Sequence, residues 1–297
     1  NKKLKQHLSK IILVSSSKVI EGAISAIGVK QKINLISDIK NAKPDSINLI
    51  NVDGCTDFVL GEPTLNNSEF IVDCLSKAAD LAFTNSSCLV TGPLNKSIIQ
   101  KHVQNFTGHT EFLKRKFNTN EVLMYMTNGN LHLGILTTHI PLKEVPNAIS
   151  KDLIKNKYKL LHNGLMDIFK LASPKIAVLG INPHAGEFGT IGNEEQNTIL
   201  PAINELRHEG YDAYGPVSAD TVFTQTKYDA VLSMYHDQAL PVLKTTDFNK
   251  TVNITLGLPF LRVSVDHGTA EDIAKNYSAN YESMMEALLI SIARNEA

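Results

Sequence analysis

The stretch Ala230-Val231-Leu232-Ser233-Met234-Tyr235-His236-Asp237-Gln238 begins as an apolar, strand-like run and ends as a polar turn. A His and an Asp delivered at the carboxyl end of a short buried strand sit where an open α/β sheet places its chemistry. The same arrangement recurs along the chain. Residues 87–90 lead into Thr91-Gly92-Pro93-Leu94-Asn95-Lys96, residues 131–136 into Thr137-Thr138-His139-Ile140-Pro141, and residues 175–179 into Gly180-Ile181-Asn182-Pro183-His184-Ala185-Gly186. Strand-like runs that each close in a turn rich in Gly, Pro, His, Asn or Lys predict parallel strands followed by ligand-binding loops. Between them lie amphipathic stretches. Residues 18–27 predict a helix ending at Gly28, and residues 70–83 predict one with Ile71, Cys74, Leu75, Ala78, Ala79 and Ala82 on a single face. Residues 10–14 read as a further strand, while residues 40–46 and 117–121 read as polar loops.

Length and composition bound the class. A chain of 297 residues, 43% of them hydrophobic, can form one large or two coupled α/β domains. With 29 basic and 30 acidic residues the net charge is -1, which gives no electrostatic reason to expect nucleic acid as a general partner. Any anion must be held by a local cluster. Cys55, Cys74 and Cys88 cannot all pair and lack the spacing of a zinc or redox motif, so reduced thiols and a cytoplasmic setting are expected. No apolar run approaches the roughly 20 residues that span a bilayer, and no signal-type core opens the chain, so a soluble protein is expected.

Three kinds of chemistry are written into the turns. His139, His184 and His236 each follow a different strand-like run, and three neutral imidazoles suit a divalent transition metal that polarises a substrate. A single strand-end histidine is more often structural; the case rests on three in equivalent places. Lys244, Asn253 and Arg262 follow in order and supply an ammonium, an amide and a guanidinium, a set that can grip a phosphate or carboxylate, although on their own Lys244 and Arg262 read more readily as ordinary surface charges. His109 and Thr110 add donors to that set. Gly186, Gly189 and Gly192 do not meet the Rossmann spacing. Asp266-His267-Gly268-Thr269-Ala270, feeding a helix that Thr269 is expected to cap, is the better candidate for meeting a nucleotide.

Seven motifs together resemble one family: Thr91-Gly92-Pro93-Leu94-Asn95-Lys96, Thr107-Gly108-His109-Thr110-Glu111, Thr137-Thr138-His139, Asn182-Pro183-His184-Ala185-Gly186, Gly215-Pro216-Val217-Ser218-Ala219-Asp220, Tyr235-His236-Asp237-Gln238 and Val265-Asp266-His267-Gly268-Thr269-Ala270. In that order they are similar to 4-hydroxythreonine-4-phosphate dehydrogenases, over about residue 85 to the last residue. Residues 266–280 also resemble the adenosine-binding loop of isopropylmalate and isocitrate dehydrogenases. The resemblance implies an α/β fold of two α/β/α lobes with a cleft between them. It also implies a homodimer with a shared active site. The implied activity is NAD-dependent oxidation of 4-phosphooxy-L-threonine, followed by loss of carbon dioxide, in pyridoxal phosphate biosynthesis. Carried over, His139, His184 and His236 resemble the ligands of a divalent metal, with zinc ahead of cobalt, manganese or magnesium. His109, Thr110, Lys244, Asn253 and Arg262 resemble substrate contacts. Gly268, Thr269 and Ala270 resemble NAD contacts. Asp237 or Asp220 is the candidate either to accept the proton or to orient a ligand, with Asp237, adjacent to His236, favoured.

The first lobe is expected over residues 1–105 and 236–297, and the second over residues 106–235. The family's opening strand and its Gly-Asp/Glu-Pro-Ala-Gly-Ile-Gly-Pro segment have no match here, so Ile11-Ile12-Leu13-Val14 is read as its second strand and a missing first one is expected. Two other readings stay open. One is a paralogous dehydrogenase of 4-phospho-erythronate or threonate, and the other is a catalytically silent ligand-binding relative. A metal hydrolase is disfavoured, because no water-activating Glu lies in a helix motif between two of the histidines.

Overall fold

A computed structural model describes residues 2–225 and 227–296, and the chain divides into two compact units. The first comprises Asn1–Phe117 and His267–Ala297, the second Asn118–Asp266.

In the first unit, strands β1 (Ile12–Ser15), β2 (Lys32–Leu35) and β3 (Ser46–Asn51) form a parallel sheet in the order β1-β3-β2. The helix Ser17–Ile27 provides the crossover from β1 to β2 and ends, as its sequence predicts, in a left-handed Gly28. Asn48 on the central strand is fully buried, yet its amide is satisfied. It accepts from Asn34 Nδ2 and Lys43 N, and donates to the carbonyls of Leu8 and Lys43. The helix Ser68–Thr84 buries Phe70, Leu75, Ala79 and Ala82; of the face that its apolar spacing predicts, Leu75, Ala79 and Ala82 are buried while Ile71, Cys74 and Ala78 are half-buried. It packs on β4 (Leu89–Thr91), and the helix Glu282–Glu296 returns from the end of the chain to the same strand.

The second unit is built on β5 (Leu123–Thr127), β6 (His132–Thr137), β7 (Ile176–Leu179), β8 (Ala213–Val217), β9 (Ala230–Tyr235), β10 (Val252–Leu256) and β11 (Arg262–Val265). Their order is β11-β10-β5-β6-β9-β7-β8. The half β6-β9-β7-β8 is parallel, whereas β11, β10, β5 and β6 pair antiparallel. Alternation along each strand feeds two packed faces. Met126, Leu133, Ile135, Ala177, Leu179 and Val231 meet Ala239, Leu240 and Leu243 of the helix His236–Thr246 on one face. On the other, Gly134 lies under Leu161 of the helix Lys151–Phe169, where an added Cβ would stand 2.9 Å from the leucine. Each such buried leucine contributes roughly 1.5–3 kcal/mol.

The crossing points differ from those expected. Residues 106–117 stay with the first unit, and the chain returns to it at 267 rather than 236. The reason is pairing: β10 joins β5 over Val252–Leu256, and β11 joins β10, so the chain after His236 remains in the second sheet. Strand ends move by one to three residues from their expected positions, for example to Tyr235 in β9. No helix among the described residues is long and apolar enough to cross a membrane. The three cysteines are partly buried, and the Cys88 thiol lies 3.5 Å from the Ser291 carbonyl oxygen.

Candidate active site

The parallel half of the second sheet brings four chemistry-bearing turns to one edge. β6 and β9 pair in register with Thr137 opposite Tyr235, so His139 and His236 leave neighbouring strands at the same end. Their ring centroids lie 5.8 Å apart. His236 opens the helix His236–Thr246, and its Nδ1 lies 2.6 Å from Oδ1 of Asp237. Asp237 is 82% exposed and therefore open to solvent or to a substrate.

His184 follows β7, the other neighbour of β9, and Asp220 follows β8. These two face each other, with His184 Nδ1 3.7 Å from Asp220 Oδ2. The Ser218 hydroxyl donates to Asp220 Oδ1 at 2.6 Å and, with the nearby His184, holds the Asp220 carboxyl below the usual carboxylate range. β8 approaches β7 so closely that a Cβ at Gly215, whose φ is +138°, would stand 2.4 Å from the Val178 carbonyl oxygen.

In chemical type, this donor set fits a divalent transition metal. In arrangement, the fit is partial. His139 and His236 are neighbours, but among the described residues no three His, Cys, Asp or Glu side chains gather closely enough to hold an ion.

The antiparallel half carries the cationic group. Thr255 stands opposite Arg262 and Asn253 opposite Ser264, so all four side chains share one face of β10 and β11. Arg262 is 5% exposed and donates from a guanidinium nitrogen to Thr255 Oγ1 at 3.1 Å. Burial lowers its pKa to about 10, which leaves it charged at neutral pH. Lys244, on the helix that begins at His236, places Nζ 2.8 Å from Asp266 Oδ2, an ion pair without the alignment of a hydrogen bond. Asp266 follows β11 directly.

The remaining candidates belong to the first unit. His109 and Thr110 open the helix His109–Lys116, whose N-cap is Gly108. The Lys96 stem lies over that glycine, 3.2 Å from where a Cβ would be. Gly268 is exposed, whereas Thr269 and Ala270 are partly covered. Thr269 does not cap the following helix. Its hydroxyl donates to Glu271 Oε1 at 3.0 Å, and Ala270, in the left-handed region at φ +51°, occupies the cap position of Glu271–Ala274. That carboxylate also accepts from Asn95 Nδ2 at 2.8 Å, which draws the turn toward the loop after β4.

Sequence reasoning gave no role to Glu195, Thr255 or Gln238. The Glu194-Glu195 doublet after a glycine-rich turn is a weak local signal, and its meaning depends on what packs over it.

A profile of the family described as Pyridoxal phosphate biosynthetic protein PdxA matches residues 7–291. The chain is 48% identical over 227 residues to the 4-hydroxythreonine-4-phosphate dehydrogenase of Shewanella frigidimarina, covering 75% of this chain and 69% of that protein. It is 44% identical over 237 residues to that of Enterobacter sp. (strain 638), covering 78% and 72%. The crystal structure of 4-hydroxythreonine-4-phosphate dehydrogenase from Klebsiella pneumoniae superposes with a TM-score of 0.87 at 32% identity, over 95% of this chain and 88% of that one. The fold is thus of the isopropylmalate and isocitrate dehydrogenase-like α/β class. Within that class, the chain belongs to the PdxA family.

Proposed function

We propose that this protein is a 4-hydroxythreonine-4-phosphate dehydrogenase. It would oxidise the secondary hydroxyl of 4-phosphooxy-L-threonine to 2-amino-3-oxo-4-phosphooxybutanoate, which loses carbon dioxide to give 3-amino-2-oxopropyl phosphate. The observation that carries this reading is the pair His139 and His236 at the ends of adjacent parallel strands, on the same unit as a buried guanidinium and an ammonium. Family membership favours the same reading.

In this proposal, Lys244, Arg262 and Asn253 bind the phosphate, with His109 and Thr110 as further substrate contacts. Charge-assisted bonds of this kind orient a substrate whose reacting carbon lies elsewhere. Arg262 is preset by Thr255, so little side-chain freedom is lost on binding. Asp237 accepts the hydroxyl proton; its position against His236 Nδ1 and its exposure suit that role better than those of Asp220, which is engaged by Ser218. His139, His236 and His184 would hold a divalent metal, zinc being the first choice, with a second copy of the chain in a homodimer free to complete the set. Such an ion lowers the pKa of a bound hydroxyl and stabilises negative charge on decarboxylation. Gly268, Thr269 and Ala270 would meet NAD, which supplies hydride acceptance. Three cysteines that lack the spacing of a zinc or redox motif suit a reducing, cytoplasmic setting.

The test is NADH formation from 4-phosphooxy-L-threonine, compared with 4-phospho-erythronate and threonate, with and without Zn²⁺, Co²⁺, Mn²⁺ or Mg²⁺. Turnover of the amino substrate supports the reading. Turnover confined to the hydroxy acids would assign the paralogous activity, and tight binding without turnover a silent relative.

A further inference from the structure

Glu195 is fully buried, and among the described residues no Lys, Arg or His side chain forms an ion pair with it. A lone carboxylate in the interior is costly unless hydrogen bonds hold its charge. Its bonds all go to one place. Oε1 accepts from the backbone N–H groups of Ile181 and Asn182, each at 2.8 Å, and Oε2 accepts from Asn182 Nδ2 at 2.9 Å. These residues are the exit of β7, just before His184. The carboxylate is wedged there, because a Cβ at Gly180 or Gly186 would stand 2.9 or 2.6 Å from its oxygens.

The loop needs such an anchor. His184, Ala185, Gly186, Glu187 and Phe188 run consecutively in the left-handed region, with φ between +42° and +79°. Each non-glycine residue there costs about 1–2 kcal/mol, so surrounding bonds must impose the conformation.

A second residue grips the same exit from the other side. Gln238 Nε2 donates to the Gly180 carbonyl at 2.6 Å, while its Oε1 accepts from Met234 N at 2.7 Å. Met234 lies on β9, two residues before His236. One continuous chain of polar contacts thus runs from the strand end that presents His236, through Gln238 and residues 180–182, to Glu195.

We propose that Glu195 and Gln238 are positioning residues that together set the loop bearing His184 relative to the strand end bearing His236. The consequence for catalysis rests on the reading of His184 and His236 as ligands. The mechanical linkage itself does not.

The test uses the full chain as Glu195→Gln, Glu195→Ala, Gln238→Ala, the double variant Glu195→Gln/Gln238→Ala, and His184→Ala as reference. Co²⁺ is titrated calorimetrically without NAD or substrate. Then kcat, KM, Tm and amide hydrogen exchange over residues 181–191 are measured. Glu195→Gln keeps one oxygen for both backbone N–H groups and is expected to fold, so it carries the test if the alanine variant does not. Expected are about 10-fold weaker Co²⁺ binding and a lower kcat with little change in KM for Glu195→Gln and Gln238→Ala. The double variant should lose less than the product of the two, since both hold one segment. Wild-type Co²⁺ affinity and kcat in both single variants, alongside loss of both in His184→Ala, overturn the positioning role while leaving the ligand reading intact. If His184→Ala itself binds Co²⁺ normally, the ligand reading fails and exchange decides the linkage. Faster exchange over 181–191 in both single variants supports it, and unchanged exchange overturns it.

Discussion

Lys244 Nζ lies 2.8 Å from Asp266 Oδ2, so the ammonium assigned to the substrate phosphate already has an anionic neighbour in the protein alone. The pair joins the helix that starts at His236 to the residue that follows β11. It holds the ammonium on the side of the sheet that carries Asn253 and Arg262, without consuming it in a well-aligned hydrogen bond.

Lys244→Ala is therefore expected to raise KM for 4-phosphooxy-L-threonine by about 10- to 100-fold while kcat changes by only a few fold, because a phosphate contact acts alike in ground and transition states. Steady-state kinetics over a wide substrate range measure this. An unchanged KM would remove Lys244 from the phosphate grip.

Arg262→Lys tests geometry rather than charge. The buried guanidinium is held by Thr255, and an ammonium cannot reproduce its planar fork. KM should rise about 10-fold, the size of one lost charge-assisted bond. Wild-type KM in the lysine variant would show that a point charge suffices.

His236→Ala and His139→Ala should each abolish turnover and weaken binding of added Zn²⁺ or Co²⁺, since their rings are neighbours at 5.8 Å. Calorimetric titration separates the two effects. Wild-type activity in either variant refutes that residue's assignment as a ligand.

A stability prediction comes from His132, away from the candidate site. Its Nδ1 lies 2.5 Å from Tyr125 Oη and 3.1 Å from Thr127 Oγ1, and its ring packs on Phe169. Burial pushes its pKa from 6.5 down to about 4, against a smaller opposing pull from Asp229. Between those values the unfolded chain binds the proton and the folded one does not, so stability rises with pH there. The contribution is complete above pH 6.5 and is lost as pH falls toward 4, amounting to about 3 kcal/mol. Urea denaturation at pH 7, 6, 5 and 4.5 should show that slope in the wild type and a flatter one in His132→Gln. Parallel slopes would sink the assignment.

Local sequence determined a good deal of this protein. Apolar runs ending in His, Asn, Pro or Gly located the parallel strand ends, and apolar spacing placed Leu75, Ala79 and Ala82 on the buried face of Ser68–Thr84. Both signals are periodic and short-range, so they are legible without neighbours. The motifs from Thr91 to Ala270 carried the family in the same way. Tertiary structure decided the rest. Only strand pairing could show that β10 and β11 keep residues 252–265 in the second unit. Only packing could show that Ala270 rather than Thr269 occupies the cap position of its helix, and that His139 neighbours His236 while His184 turns to Asp220. Glu195 is the clearest case. In sequence it is one half of a charged doublet to which no local pattern gives a role. In the fold it is a buried carboxylate whose acceptors are spent on residues 13 and 14 positions away, a role set by long-range contacts that no local pattern encodes.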